Sequence, residues 1–302
     1  MKCNNCPRNC NVQRSEQVGF CGTRGTVISR ISKHMWEEPC ISGSKGSGTV
    51  FFAGCNLKCR FCQNYDISVA PHGTEISANR LADVFLYLQD QGVANVNLVT
   101  AAHVLPTVVR ALEIAKPHLQ IPVVYNTSSY EKVSALKTLD GLADVYLPDL
   151  KFCDVAVSKA LCGAADYFEV ATQAIREMRR QQPKDVFDAD GYMTKGLLIR
   201  HLVLPSFTED SKKVLDWISS FGKDTWVSVM SQYFPARKDD KLIQLNRRLF
   251  KYEYDNVMQY FFNVGLKNGF WQDSSSATVD YLPDFSDCEV EKVLRCVPNV
   301  FN

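Results

Sequence analysis

Short apolar runs alternate with amphipathic stretches along most of the chain. "TVFFAG" (49–54) predicts a strand that leads straight into a group of cysteines. From Ser77 to Gln91, Leu81, Val84, Phe85 and Leu88 recur at the spacing of one helix face, and Gly92 stands where a C-cap belongs. "VNLVT" predicts a strand ending at Thr100, a helix follows over about Leu105–Lys116, and "IPVVYN" predicts a strand ending at Asn126. A helix over about Tyr130–Leu139, the strand "DVYLPDLK", and helices at about Asp154–Leu161 and Asp166–Gln181 come next. The polar piece "QQPKDVFDADGYMTK" breaks the pattern and predicts a loop. "LLIRHLVLP" predicts a long strand, Glu209–Phe221 a helix, "TWVSVMSQY" a strand, and about Leu242–Lys267 a long helical tail. The sequence shows no internal repeat and no low-complexity segment.

Alternating strands and helices with short connections imply parallel βαβ units. About six units can be counted, short of the eight that close a barrel. Each strand stops at a polar or cysteine residue: Cys55, Thr100, Asn126, Asp149 with Lys151, Arg200 with His201, and Ser231 with Gln232. In parallel α/β folds the site lies at those C-terminal strand ends. Arg200 and His201 should face opposite ways if their strand is regular.

The formal net charge of +1 gives no electrostatic case for nucleic acid or a membrane surface. No apolar run reaches the ~20 residues that span a bilayer, and "MKCNNCPRNC" has no apolar core of a signal peptide. A cytoplasmic location follows as the simplest expectation. The 12 cysteines should then be mostly reduced, and clusters of them point to metal.

In "GCNLKCRFCQNYD", Cys55, Cys59 and Cys62 stand at C-x3-C-x2-C spacing with no fourth thiol beside them. A structural zinc site takes four protein ligands, and a [4Fe–4S] cluster is normally held by four thiolates. Three thiolates leave one iron open to substrate or cofactor. This run, with Phe61 before its last cysteine, resembles the radical S-adenosylmethionine (SAM) superfamily. Together with "PDLK" and "IRHLVLP" it is similar to the pyruvate formate-lyase activating enzymes, in particular to an activating-enzyme-like group, over about Cys3–Tyr233.

The resemblance implies an α/β fold, a partial (β/α)6 TIM barrel. It implies a [4Fe–4S] cluster on Cys55, Cys59 and Cys62 whose open iron is chelated by SAM, and an electron donor such as flavodoxin or ferredoxin. Phe61 would pack near the adenine, and the Asp-x-Lys pair Asp149 and Lys151 would contact SAM. Physically, a carboxylate can accept from ribose hydroxyls and an ammonium can pair with the SAM carboxylate. Arg200 is a further candidate for that carboxylate, and Asn126 for the barrel top. Activating enzymes carry Gly-Gly-Glu after the second strand to hold the SAM amino group. This chain has "NLVTAAHV", so Thr100 and His103 become the candidates there. Ala101 and Ala102 also depart from the Thr-Pro-Thr-His of the group it most resembles.

A second group, Cys3, Cys6, Cys10 and Cys21, lies in a loop-rich stretch too short for its own core, where metal binding would supply folding energy. Zinc and an auxiliary [4Fe–4S] cluster both fit four thiolates. The remaining cysteines, Cys40, Cys153, Cys162, Cys288 and Cys296, read as core or surface thiols. The expected organisation is a Cys-rich metal-binding segment over 1–48, the barrel over 49–240, and a helical extension over 241–302. The expected function is reductive cleavage of SAM to make a radical, by resemblance a glycyl radical on a partner protein. The alternatives are radical modification of a small molecule or peptide, and a non-catalytic iron–sulfur redox protein. A small-molecule enzyme should carry a lid over the barrel mouth, for which the polar 181–195 stretch is the candidate.

Overall fold

The computed structural model describes residues 2–271, 285 and 288–301. A strand β1 (Val27–His34) pairs antiparallel with β2 (Ser47–Phe52), which is buried along its whole length. After the cysteine loop come α1 (Tyr65–Val69), a short β3 (Thr74–Glu75) that pairs with β1, and α2 (Ala78–Asp90). Ser77 caps α2 by accepting from the Arg80 amide, and Gly92 just past its end has φ +70°. β4 (Val96–Val99), α3 (Leu105–Ala115), β5 (Val123–Thr127), α4 (Val133–Leu136) and β6 (Val145–Pro148) continue the alternation. Then follow α5 (Val155–Cys162), α6 (Tyr167–Gln181), β7 (Val186–Phe187), β8 (Met193–Leu202), α7 (Thr208–Phe221) and β9 (Trp226–Met230). The chain ends with α8 (Lys251–Asn263), β10 (Gly269–Trp271) and α9 (Cys288–Cys296).

The sheet order is β10-β9-β8-β6-β5-β4-β2-β1-β3, with every pair from β2 to β10 parallel. The sheet is therefore open and mostly parallel, with β10 and β3 at its ends among the described residues. Strands buried on both faces explain the continuous Val/Leu/Ile runs. The core lies between the sheet and helices α2, α3, α5, α6 and α7.

Three expectations are corrected. A seventh parallel strand, β10, follows the six that the pattern predicts. It is only three residues long, below what periodicity can register. The helical tail is shorter than Leu242–Lys267: Ile243–Leu245 is a single 3₁₀ turn and α8 begins at Lys251. There Glu253 accepts from the Phe250 amide (2.9 Å) and pairs with Arg247 (2.7 Å), which fixes the start of the helix. The polar 181–195 stretch is a hairpin of β7 on the start of β8, closed by Asp188, whose carboxylate accepts from the Asp190 and Tyr192 amides. Tyr192 accepts from the Ser44 and Lys45 amides just ahead of β2. The hairpin thus sits at the N-terminal ends of the parallel strands, away from the barrel mouth. β1, inside the span expected to be the Cys-rich segment, is part of the same sheet. No helix among the described residues is long and apolar enough to cross a membrane.

Candidate active site

The cysteine loop leaves β2 through Gly54, at φ +86°. A Cβ there would come within 2.6 Å of the Cys21 carbonyl oxygen, so glycine is needed both for the conformation and for the close approach. The loop is clamped on two sides. Arg8 donates to the carbonyls of Asn56 (2.7 Å), Cys162 (3.0 Å) and Gly163 (2.7 Å). On the other side Arg60, between the second and third cysteines, forms an ion pair with Asp239. Asn56 donates to the Tyr130 carbonyl (2.7 Å) and Gln63 to that of Gln232 (3.1 Å).

Cys55, Cys59 and Cys62 all border one cavity of about 240 Å³ at the C-terminal strand ends. The Leu57 amide donates to the Cys55 sulfur (3.4 Å) and the Ser68 hydroxyl to the Cys62 sulfur (3.5 Å). Burial raises the Cys55 thiol and pushes Cys62 up to about 12. A metal therefore has to displace protons from these thiols. No three Cys, His, Asp or Glu side chains among the described residues converge on a point that one ion would occupy. The donor set fits a multinuclear iron–sulfur group: three thiols of one loop, each at the wall of the same cavity, with N–H and O–H donors on two of the sulfurs.

Opposite the thiols, the parallel ladders continue past the strand ends. The Thr100 amide bonds the Asn126 carbonyl, that of Asp149 bonds the Thr127 carbonyl, and that of Leu150 bonds the Arg200 carbonyl. This sets Thr100, Asn126, Asp149 and Arg200 side by side on the cavity wall. Asp149, Arg200 and Asn126 are joined with Lys151 and Glu37 in one bonded chain. Lys151 Nζ pairs with Asp149 Oδ2 (2.6 Å), and Arg200 Nε pairs with Asp149 Oδ1 (3.0 Å). The other guanidinium nitrogens donate to Glu37 Oε2 (2.9 Å) and Asn126 Oδ1 (2.6 Å). Glu37 Oε1 in turn accepts from Asn97 and Asn126, both at 3.2 Å. Burial works to raise Asp149, but Lys151 and Arg200 outweigh it and hold the carboxyl below its ordinary value. Burial works to lower Lys151, and the same Asp149 charge more than reverses that. Thr100 has φ +63°, an unfavourable conformation for a β-branched residue.

The cavity thus gathers Cys55, Cys59, Cys62, Phe61, Thr100, Asn126, Asp149, Lys151 and Arg200. Phe61 meets Phe152 edge-on, at 5.6 Å between ring centroids. His103 is not on its wall. It is buried behind Gly54, its Nε2 bonded to the Ala53 carbonyl (2.7 Å), and burial lowers its pKa to about 4. His201 points away from Arg200, with its ring held by the Leu150 carbonyl and the Ser211 hydroxyl at 2.8 Å each.

Two participants escaped the sequence reading. Glu37 comes from the connection between β1 and β2 and reaches partners 60 to 163 residues away. Cys162, at the end of α5, is in hydrogen-bonding contact with Cys59. Its place is fixed by the bond from the Arg60 amide to the Leu161 carbonyl (2.8 Å). No local pattern marks either residue.

Of the N-terminal group, Cys6 and Cys21 are buried and Cys3 and Cys10 half-buried. The Phe20 amide donates to the Cys10 sulfur (3.3 Å). Burial raises the Cys6 thiol, and the Cys10 and Cys21 thiols add to the rise, so three of the four lie near one another. Asn56 of the cluster loop also bonds Cys6, which places this group against the back of that loop.

Comparison with known proteins places the chain in a family. The family model described as "Radical SAM superfamily" matches residues 49–218, more than half of the chain. A protein of Methanocaldococcus jannaschii, described as uncharacterised, is 30% identical over 268 residues, 85% of this chain and 73% of its own length. Streptococcus suis SuiB bound to S-adenosylmethionine is 18% identical, with a TM-score of 0.49, over 78% of this chain and 52% of that one, so the chain spans about half of SuiB. A domain of a pyruvate-formate lyase-activating enzyme from Bacteroides vulgatus is 12% identical, with a TM-score of 0.35, over 56% of this chain and 91% of that one. The matched region runs from β2 into α7 and carries both the three-thiol loop and the polar strand ends, and on that match the chain belongs to the radical SAM superfamily, whose enzymes use a [4Fe–4S] cluster and SAM.

Proposed function

We propose that this radical SAM enzyme holds its [4Fe–4S] cluster on Cys55, Cys59 and Cys62, binds SAM against the Lys151–Asp149–Arg200 wall, and acts on a partner polypeptide in the manner of an activating enzyme. With cluster and SAM bound, one-electron reductive cleavage supplies a 5′-deoxyadenosyl radical. The chain's own residues bind and orient. Lys151 faces the cavity while paired with Asp149, so it can meet the SAM carboxylate without first being buried alone, which would be costly. Asp149 has lone pairs left for ribose hydroxyls. Glu37 and Thr100 offer acceptors for an ammonium group at the wall where His103 does not reach. Phe61, edge-on to Phe152, gives an apolar side for the adenine. A flavodoxin- or ferredoxin-type donor would supply the electron.

The observation that carries the assignment is that the three thiols and the charged wall line one cavity. The polypeptide reading is favoured by the 181–195 hairpin, which is tied to the opposite end of the strands and so is no lid for a small substrate. Of the two expectations for the N-terminal four-cysteine group, zinc or a second cluster, the second cluster is favoured, because among the described residues no three of its thiols converge on a single-ion point; it would brace the loop from behind. The test is anaerobic reconstitution with a candidate partner labelled with deuterium at the abstracted position. Deuterium in 5′-deoxyadenosine supports the reading. SAM cleavage that proceeds with no label transfer from any protein, only from a small molecule, overturns the partner.

A further inference from the structure

A second cavity of about 480 Å³ adjoins the first and shares Trp36, Glu37 and Arg200 with it. One side is the connection between β1 and β2 and the other is β9 and β10. β10 is one end of the sheet, whereas the β1–β2 connection folds in over the strand residues Asn97, Asn126 and Arg200, to which Glu37 bonds, so the cavity lies between that connection and the β9–β10 end.

Its distinctive group is Glu38. The residue is 8% exposed and lines the cavity, and its Oε2 has no hydrogen-bond partner. The turn that carries it is fixed, because the Ile41 and Ser42 amides both donate to the Glu38 carbonyl. Arg200, the cation nearest to hand, is already committed: Nε to Asp149, one terminal nitrogen to Glu37 and the other to Asn126. Across the two cavities three carboxylates, Glu37, Glu38 and Asp149, face two cations, Lys151 and Arg200. Burial raises the Glu38 carboxyl above its ordinary value, Arg200 opposes the rise and Glu37 adds to it. An orphaned buried carboxylate oxygen is expensive unless a donor meets it. The remaining walls combine Trp36, Phe270 and Trp271 with Met35, Met230 and Pro39. Trp36 is 57% exposed and Trp271 56%, with Phe270 between the latter and Trp226, on which it stacks at 5.6 Å. A carboxylate with apolar and aromatic residues around it suits an alkyl chain ending in a cation.

We propose that this second cavity is the substrate subsite and that it takes a cationic nitrogen on an alkyl stem, paired with Glu38 and flanked by Trp36 and Trp271. The inference rests on the reading that SAM occupies the neighbouring cavity and that the substrate is a separate molecule. A lysine-type side chain of a polypeptide and a free alkylamine share this chemistry.

The test is calorimetric titration of the reconstituted, SAM-loaded protein with butylammonium chloride, butanol and sodium butyrate. Butylammonium should bind with affinity on the order of millimolar, which is within reach of so small a ligand, and the two controls should bind at least about 10-fold more weakly. Glu38→Gln should weaken butylammonium binding by about 10-fold and leave SAM affinity within about twofold. Equal binding of butanol, or wild-type binding of butylammonium to Glu38→Gln, overturns the proposal. Should Glu38→Gln fail to fold, the exposed Trp271→Ser is expected to weaken butylammonium by about threefold, and unchanged affinity there overturns it equally. The peptide acetyl-Gly-Gly-Lys-Gly-Gly-amide separates the sources. Tighter binding than butylammonium assigns the subsite to a polypeptide. Binding no tighter assigns it to a small amine, which sinks the partner-polypeptide reading while the subsite stands.

Discussion

Two cysteine groups lie within one small region of this molecule, and they differ in what they face. Cys55, Cys59 and Cys62 open onto a cavity at the C-terminal strand ends. Cys3, Cys6, Cys10 and Cys21 border neither cavity and sit behind the loop that carries the first three. Spacing alone predicts metal ligation by both. Position in the fold separates them: thiols on a cavity wall can serve a group that touches substrate, whereas thiols at the back of the loop border neither cavity.

The contrast breaks most decisively at the cavity. Replacing Cys55, Cys59 and Cys62 together by Ala is expected to abolish reductive SAM cleavage, read as 5′-deoxyadenosine under anaerobic reduction. Product at the wild-type level would show that the cavity thiols are not the ones that matter. The same variant sharpens the other half. Metal analysis should still find metal on the N-terminal group, removed by further Cys6→Ser and Cys21→Ser changes. Structural metal contributes on the order of 10 kcal/mol to folding a small site. Its loss should expose residues 2–25 to limited proteolysis while helices α2 to α7 stay protected, and a resistant metal-free segment would refute the bracing role.

The charged wall comes next. Asp149→Asn and Lys151→Met are each expected to weaken SAM binding by about 10- to 150-fold, the range for losing a hydrogen bond to a charged group, with the cluster spectrum intact. Asp149→Asn should sit at the upper end, because it strips a partner from both Lys151 and Arg200. Isothermal titration decides, and wild-type affinity in both variants would remove the pair from the site. Arg8→Met tests the brace without touching either set of thiols. It deletes three bonds to carbonyls of the cluster loop and the end of α5, the two part-buried ones worth roughly 1.5–3 kcal/mol each and the exposed one less. Cluster retention on dilution should fall while SAM affinity of the loaded fraction is unchanged.

The smallest effect is on acid stability. His103 stands between the two groups, with its ring on the Ala53 carbonyl and its own carbonyl bonded by Arg14 and Asn5. Burial lowers its pKa from 6.5 to about 4, so the unfolded chain binds the proton more readily. The stability this residue allows is complete above pH 6.5 and is lost as pH falls toward 4. At pH 5 the loss is about 2 kcal/mol. His201 acts in the same sense, and Glu131, raised to about 7 by burial, acts in the opposite one. The comparison is therefore the difference in denaturation slope between wild type and His103→Gln from pH 7 to 5. Parallel curves would exclude His103 as a titrating contact.

Most of the scaffold was legible because each parallel strand is a continuous apolar run and each helix repeats at its own period. The expected ends of α2, α3, α6 and α7 fall within a residue of those observed. β10 and the break before α8 were hidden, the one by brevity, the other by an ion pair between Arg247 and Glu253 that periodicity does not encode. The cavity wall was legible where it lies at strand ends: Thr100, Asn126, Asp149, Lys151 and Arg200. It was illegible where a connection folds inward, as with Glu37 and Glu38, or where a helix end meets a loop, as with Cys162 and Arg8. His103 misled because its loop follows a strand end, yet its ring turns behind Gly54 instead of onto the wall.

The hairpin closed by Asp188 offers a practical use. Its tip, Asp190 and Gly191, is exposed, and nothing lies within 4 Å of where a Gly191 side chain would begin. It stands at the end of the strands remote from the thiols. An affinity handle or a surface tether inserted there would hold the enzyme on a solid support with its mouth outward, so that reductant and candidate partners could be washed over one immobilised, oxygen-protected sample.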